Sequence, residues 1–293
     1  PHFCGFIPTP ALMYFAINNS APSIMITGSH IPADRNGIKF NLPTGEILKT
    51  DEKKIIDIYN HLKQTIDNSI FDETFSFKEK INIDRFLDNN ILTSKIKNFY
   101  LNRYKNYFKE NGLIGRRIII YEHSTVAREL LDEILNYAGA EIIKFGYSSE
   151  FIAVDTEALE DTDLLKEQII KNKADALVSA DGDGDRPLVL SNIGNQLRGD
   201  ILGLISAKYL NAEAVALPVS CNTAIELSNF FKQTFRTRIG SPFVIETMLL
   251  QKEKYKHLVG FEANGGFLTV NNIITNDNKI LNPLLTRDAI LPI

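Results

Sequence analysis

The sequence predicts an α/β protein made of consecutive related units, each a mixed sheet with helices against it, and three observations support this. Three times an apolar, strand-length run delivers a loop of small and polar residues, and a second apolar run leads away from that loop to a polar turn. Between these repeats runs the order strand, helix, strand, the signature of an α/β layer. The length, 293 residues, exceeds one ordinary core and suits two or three units. The expected units are residues 1–110, 111–212 and 213–293.

In chain order, Ile24-Met25-Ile26 leads into Thr27-Gly28-Ser29-His30-Ile31-Pro32, and Gly37-Ile38-Lys39-Phe40 leads away to the turn Pro43-Thr44-Gly45. Lys53 to Asn68 carries a helix-like stripe at Ile55, Ile56, Ile58, Tyr59, Leu62 and Ile66. Ile91 to Phe108 repeats that pattern with Lys and Asn opposite, and Asn111-Gly112 ends it. The β-branched run Ile118-Ile119-Ile120 predicts a strand over 117–121. A helix follows to Tyr137 and closes at Gly139, and 141–145 is the next strand. Ala176-Leu177-Val178 then delivers Asp181-Gly182-Asp183-Gly184-Asp185, and Leu188-Val189-Leu190 leaves it for a turn at Asn192 to Asn195. Leu258-Val259-Gly260-Phe261 delivers Glu262-Ala263-Asn264-Gly265-Gly266, and Phe267-Leu268-Thr269-Val270 leaves it. Function concentrates on loops presented by rigid elements, so the three loops are expected to face one site. Arg287-Asp288 reads as the start of a further helix, and Ile290-Leu291-Pro292-Ile293 as an exposed apolar end.

Composition narrows the function classes. Hydrophobic residues make up 44% and charged residues 23%, an ordinary globular mixture. The net charge of −4 offers no broad basic surface for nucleic acid, which leaves small anionic substrates held by a local pocket of Arg and Lys. No apolar run approaches the roughly 18 residues of a membrane span. The 2 cysteines, Cys4 and Cys221, cannot build a disulfide framework and read as buried apolar residues of a reducing, cytoplasmic compartment.

Asp181, Asp183 and Asp185 alternate with glycines. Three carboxylates so close repel one another unless a cation neutralises them, and hard oxygen ligands suit Mg²⁺. The glycines let the backbone bend until all three face one ion. A solvated acidic turn is the plain alternative. An EF-hand also opens Asp-x-Asp-x-Asp but needs Gly sixth and Glu twelfth; Arg186 and Asn192 stand there, which excludes it. Ser179 to Gly184 also resembles the Asp-x-Asp-Gly loop of haloacid-dehalogenase phosphatases. Asp185 then stands where Thr or Val belongs, and no clean acidic pair follows downstream.

Ser29, between Gly28 and His30 at a strand end, sits on a tight turn. That suits a hydroxyl that meets a phosphoryl donor and an acceptor in turn. Lys39, on the strand returning from the loop, can point back as a cation or proton carrier. Taken alone, Ser-His in a turn is ordinary turn chemistry.

Together the loops resemble those of the phosphomannomutase/phosphoglucomutase (α-D-phosphohexomutase) family. Thr27 to Pro32 with Asn36-Gly37-Ile38-Lys39 is similar to that family's phosphoserine loop, usually Thr-Ala-Ser-His-Asn-Pro followed by Asn-Gly-Ile-Lys. Asp181 to Arg186 resembles its metal loop without departure, and Glu262 to Gly266 its sugar loop, commonly Gly-Glu-Met-Ser-Gly-His. The order is the family's, and the resemblance covers essentially the whole chain.

The resemblance implies that Ser29 is the phosphorylated nucleophile, in a catalytic loop with His30. It implies that Asp181, Asp183 and Asp185 bind Mg²⁺ with a phosphoryl oxygen on Ser29, that Arg186 contacts phosphate and that Lys39 assists proton transfer. Glu262 and Asn264 would hold sugar hydroxyls. Gly240-Ser241-Pro242 matches a further loop that helps select the sugar. The implied reaction interconverts hexose 1-phosphate and hexose 6-phosphate through a hexose 1,6-bisphosphate.

Several positions depart from the family pattern. Gly28 and Ile31 replace Ala and Asn beside Ser29, and Gly266 stands where many members have His, whose role is left unfilled. The variant Phe-Glu-Ala-Asn-Gly-Gly looks like that of some bacterial phosphomannomutases and favours mannose 1- and 6-phosphate over glucose or glucosamine phosphates. The resemblance also implies an incomplete first domain and no phosphate-binding fourth domain in this chain, which by itself is expected to bind metal with little turnover. A catalytically inactive sugar-phosphate binder is the contrasting reading, against which Ser29, Lys39 and the three aspartates stand, because binding needs no nucleophile. Monomer and dimer both stay open.

Overall fold

A computed structural model describes residues 2–29, 31–32, 34–65, 71–72, 78, 90–160, 162–275 and 277–293. Strands β1 (Ser23–Thr27), β2 (Gly37–Leu42) and β3 (Gly45–Glu46) form an antiparallel sheet in that order. Strands β4 (Arg117–Tyr121), β5 (Glu141–Phe145), β6 (Ala176–Ala180) and β7 (Pro187–Ser191) form a second, ordered β5-β4-β6-β7. Its first three strands are parallel and β7 is an antiparallel edge. A third sheet comprises β8 (Ala214–Pro218), β9 (Gln233–Thr237), β10 (Leu258–Phe261), β11 (Phe267–Thr269) and a later strand. A ribbon of β12 (Ile273–Ile274) and β13 (Ile280–Leu281) precedes that strand, β14 (Leu284–Asp288), and the sheet order is β14-β11-β10-β8-β9. Inner parallel strands are covered on both faces, which is why Ile118 to Ile120 and Ala214 to Leu217 are unbroken apolar runs and all buried.

The repeat seen in the sequence is a repeat of hairpins. Each of the three loops joins an antiparallel pair, closed by Thr27 facing Gly37, Ala180 facing Pro187 and Phe261 facing Phe267. Pro187 opens an edge strand, where its missing N–H breaks no inner ladder.

Helices Lys49–Thr65, Asn90–Lys105 and Arg128–Tyr137 fall on the periodic stretches, of which residues 66–68, with Ile66, lie outside the described residues. The first buries none of its side chains; Ile56, Tyr59 and Leu62 are exposed. Helix Thr9–Asn18 has no counterpart in the periodic reading, because it is apolar nearly all round and buries Thr9 through Tyr14. Helix Gly199–Tyr209 lies against β10: a Cβ on Gly203 would fall 2.5 Å from Phe261 Cδ2. It thus packs on the third sheet although it precedes residue 212.

Three expectations are corrected. Arg287-Asp288 closes β14 instead of opening a helix, because Asp288 pairs with Phe267 in the ladder. Ile290 and Leu291 are buried in the main core instead of forming an exposed end. Cys4 is half-buried at the margin of that core, whereas Cys221 is buried as expected.

One polar cluster ties the helix Asn90–Lys105 to the third sheet. Arg103 is 2% exposed, and its Nη1 pairs with Asp288 Oδ2 at 3.1 Å. Tyr100 and Tyr104 hydroxyls each donate to the same carboxylate at 2.6 Å, and Arg103 also donates to Thr269 Oγ1 and the Asn282 carbonyl. Removing one partner of a buried pair strands the other charge at a cost of about 3–5 kcal/mol. Arg103→Met is therefore expected to lower unfolding stability by that amount in urea titration. A loss below about 1 kcal/mol, the worth of an exposed pair, would mean that the cluster is not anchoring this helix.

Candidate active site

The serine loop is held in a constrained shape. Ser29 takes φ 53°, a left-handed conformation unusual for a residue with a side chain. Its N–H donates to Thr27 Oγ1 at 2.8 Å. The aspartate loop comes so close that a Cβ on Gly182 would fall 2.5 Å from the Ser29 carbonyl oxygen, so only glycine fits there. The Ser29 hydroxyl donates to Asp181 Oδ2 at 2.5 Å.

The aspartate loop is fixed from beneath. Asp181 Oδ1 accepts the N–H groups of Asp185 at 3.0 Å and Arg186 at 3.1 Å. Thr125 Oγ1 donates to the Asp181 carbonyl at 2.6 Å, and His123 Nε2 lies 2.8 Å from the Ala180 carbonyl. Burial lowers the His123 pKa to about 4, so the imidazole is neutral near pH 7 and donates through Nε2 to that carbonyl. Thr9 Oγ1 donates to Asp183 Oδ2 at 2.5 Å, and Thr9 N–H to the Asp183 carbonyl at 2.9 Å. Lys39 reaches back from β2 with Nζ 2.7 Å from Asp183 Oδ2 and 2.8 Å from Asp185 Oδ2.

Asp181, Asp183 and Asp185 are all buried, with one ligand oxygen of each within 4.8 Å of the others. Burial, with Asp185 and Asp183 alongside, pushes Asp181 well above the usual carboxylate range. Burial also acts to raise Asp185, but Arg287, Lys39 and Arg186 outweigh it and hold that carboxyl low. Asp183 Oδ1 and Asp185 Oδ1 are buried without a hydrogen-bond partner. Such orphaned acceptors cost about 1–3 kcal/mol each, more when charged. A cation accepting both oxygens removes that cost, so the residues fit a hard divalent ion.

The sugar-type loop joins this cluster through Arg287. Nε and Nη2 of Arg287 donate to Asp185 Oδ2 at 3.1 and 2.7 Å, and Nη1 donates to Glu262 Oε2 at 3.0 Å. Asn264 Oδ1 accepts the Gly266 N–H at 2.9 Å and so shapes its own loop. Gly240, at φ 123°, precedes the helix Ser241–Gln251, and Ser241 Oγ donates to Glu46 Oε2 at 2.9 Å. Glu46 also accepts from Thr286 Oγ1, linking β3 to β14. Arg186 lies beside the acidic cluster with Nε 3.7 Å from Asp185 Oδ1 and 3.9 Å from Asp181 Oδ2. His30 lies outside the described residues.

Ser29, Lys39, Arg186 and the three aspartates thus meet, with Glu262 one arginine away. Thr9, Glu46 and Arg287 also contribute and are not singled out by motif. Thr9 follows Pro8 in an apolar run, and Arg287 lies on a strand whose partner is distant in sequence.

A family model described as phosphoglucomutase/phosphomannomutase α/β/α domain I matches residues 2–66, and that for domain III matches residues 198–292. Together they cover more than half of the chain. A phosphomannomutase of Salmonella muenchen is 43% identical over 292 residues, 99% of this chain and 57% of its own length. One of Sinorhizobium fredii is 42% identical over 296 residues, 100% of this chain and 59% of its own. A phosphoglucomutase/phosphomannomutase family protein of Burkholderia thailandensis shares the fold, with a TM-score of 0.69 at 18% identity over 99% of this chain and 59% of that one. This chain spans a little over half the length of the curated relatives it matches. With two domain models of one family matched in order and phosphomannomutases alike along the whole chain, the chain belongs to the phosphoglucomutase/phosphomannomutase family.

Proposed function

We propose that the protein moves a phosphoryl group between the C1 and C6 oxygens of a hexose phosphate, with mannose phosphates preferred, through a phosphorylated Ser29. The observation that carries this is the Ser29 hydroxyl 2.5 Å from Asp181 Oδ2, at the edge of an acidic cluster with orphaned carboxylate oxygens. In the forward half, the free sugar hydroxyl attacks the phosphorus on Ser29. The new O–P bond forms as the Ser29 Oγ–P bond breaks, the hydroxyl proton passes to the freed Ser29 Oγ, and a hexose 1,6-bisphosphate results. That intermediate turns over and its other phosphoryl returns to Ser29 Oγ, releasing the isomer.

Asp181, Asp183 and Asp185, with a phosphoryl oxygen on Ser29, would hold Mg²⁺, which when bound supplies charge neutralisation to the transferring oxygens. Lys39 stands between two of those carboxylates as a cation able to take part in proton movement at the same oxygens. Arg186 serves the phosphoryl group. Glu262 and Asn264 serve sugar hydroxyls, with Gly240 and Ser241 bordering the sugar.

The test is a coupled assay of the intact protein with Mg²⁺ on mannose 1-phosphate and on an N-acetylglucosamine phosphate. The mannose compound is expected to give a kcat/KM at least about tenfold higher, a difference of about 1.4 kcal/mol in transition-state binding. Comparable or better use of the aminosugar would overturn the mannose preference. Turnover of no hexose phosphate would overturn the reaction.

A further inference from the structure

Arg287 spans two loops that belong to different sheets. Its fork takes Asp185 on one side and Glu262 on the other, and its side chain is 17% exposed while those of its partners are 1% and 6%. Its chain neighbour Asp288 is fixed by Arg103, Tyr100 and Tyr104. The guanidinium therefore extends from an anchored backbone.

Its stem also lies directly against Gly266. A Cβ on Gly266 would fall 2.7 Å from Arg287 Cδ and Cγ and 2.8 Å from its Cβ. The clash is with the root of the side chain as well as its length, so the arginine cannot swing aside cheaply. Gly266 leaves a space, and Arg287 fills it from the next strand.

We propose that Arg287 is a positioning residue of the transfer reaction: it sets the separation of Asp185 in the aspartate loop from Glu262 in the sugar-type loop, and position 266 is glycine so that it fits. This rests on the phosphoryl-transfer reading above. A planar fork holds two carboxylates at a fixed angle, whereas an ammonium acts as a point charge and fixes neither. Being permanently charged, the guanidinium transfers no proton; it aligns the sugar with the phosphoryl group. It also competes for Asp185 with any metal ion. Two opposite consequences follow from its removal: metal binding is relieved of a rival cation, and transfer loses its alignment.

The experiment uses the intact protein with Mg²⁺ and mannose 1-phosphate, and compares wild type with Arg287→Met, Arg287→Lys and Gly266→Ala. Titration calorimetry reads Mg²⁺ affinity, and steady-state kinetics read kcat and KM. Arg287→Met is expected to bind Mg²⁺ as tightly as wild type or tighter, while kcat falls by about 100-fold, the scale of a misplacement near 1 Å. Gly266→Ala should reproduce that kcat loss, and the double variant should be no worse than Arg287→Met alone. Arg287→Lys should keep Mg²⁺ affinity and recover only part of kcat. Wild-type kcat in Arg287→Met, full recovery by lysine, additive losses in the double variant, or a collapse of Mg²⁺ affinity together with kcat would each overturn the positioning role. A wild-type protein that binds Mg²⁺ yet turns over no hexose phosphate would instead bring down the transfer reading beneath it.

Discussion

Ser29→Ala in the intact protein is expected to abolish phosphoryl uptake from a hexose 1,6-bisphosphate and to lower kcat by at least about 10⁴-fold, the scale on which enzymes lose rate when a covalent nucleophile is deleted. On the proposed reading the transferred group needs an oxygen beside the acidic cluster, and Ser29 Oγ stands there, 2.5 Å from Asp181 Oδ2. Thr27, Thr9 and Thr125 carry other hydroxyls nearby, but that of Thr27 accepts the Ser29 N–H and those of Thr9 and Thr125 donate to Asp183 and to the Asp181 carbonyl. Alanine at φ 53° keeps the strain of the site while losing the bond to Asp181, so a folding defect has to be separated from a chemical one. Ser29→Gly makes that separation, since glycine adopts this φ freely and also lacks the hydroxyl. Both variants should fold, and neither should gain the mass of a phosphate when incubated with the bisphosphate. Uptake that persists in either variant, or a phosphate that maps to another residue in wild type, would remove Ser29 from its role.

How much of this was legible in the sequence depended on how local the determinants are. Strand β4 is legible because Ile118-Ile119-Ile120 is β-branched and buried on both faces. The hairpins around the three loops are legible because each pairs residues close in sequence, as Ala180 does with Pro187. Helix Thr9–Asn18 escapes a periodic reading since almost every turn of it is buried, leaving no polar face to set the phase. Arg287-Asp288 escapes it for a different reason. A charged pair that leads into an apolar run is compatible with a helix start, and the ladder partner that makes it a strand, Phe267, is remote. The same remoteness hides Arg287 itself: its two carboxylate partners lie on loops of two other hairpins, and no spacing rule connects them. Gly266 reads as a missing side chain in the sequence and as room for Arg287 in the fold.

Asp183→Asn is expected to weaken Mg²⁺ binding by at least about 100-fold in titration calorimetry, because loss of an outer partner to a metal ligand alone costs about 10- to 100-fold. The geometry explains why the amide is a poor substitute. Asp183 Oδ2 already accepts from Thr9 Oγ1 and Lys39 Nζ, and Oδ1 is the buried oxygen without a partner. If the amide oxygen of the substituted side chain keeps the bonds to Thr9 and Lys39, its NH₂ takes the place of Oδ1 and turns a donor toward the cation. If the amide flips, the NH₂ meets the Lys39 ammonium instead. Either orientation sets like against like in a site with little water to screen it. The metal-free protein should not suffer, since one of three mutually repelling carboxylates has been neutralised. Its melting temperature should equal or exceed that of metal-free wild type. The difference appears on adding Mg²⁺: a ligand at 100 times its Kd stabilises the folded state by about 2.7 kcal/mol, and at the concentration that gives wild type this gain, Asp183→Asn should gain less than about 0.5 kcal/mol. A melting-temperature rise with Mg²⁺ equal to that of wild type, or an unchanged calorimetric affinity, would show that the ion is held elsewhere. A metal-free Asp183→Asn protein that melts well below wild type would show that Asp183 acts chiefly as the acceptor for Thr9 and Lys39.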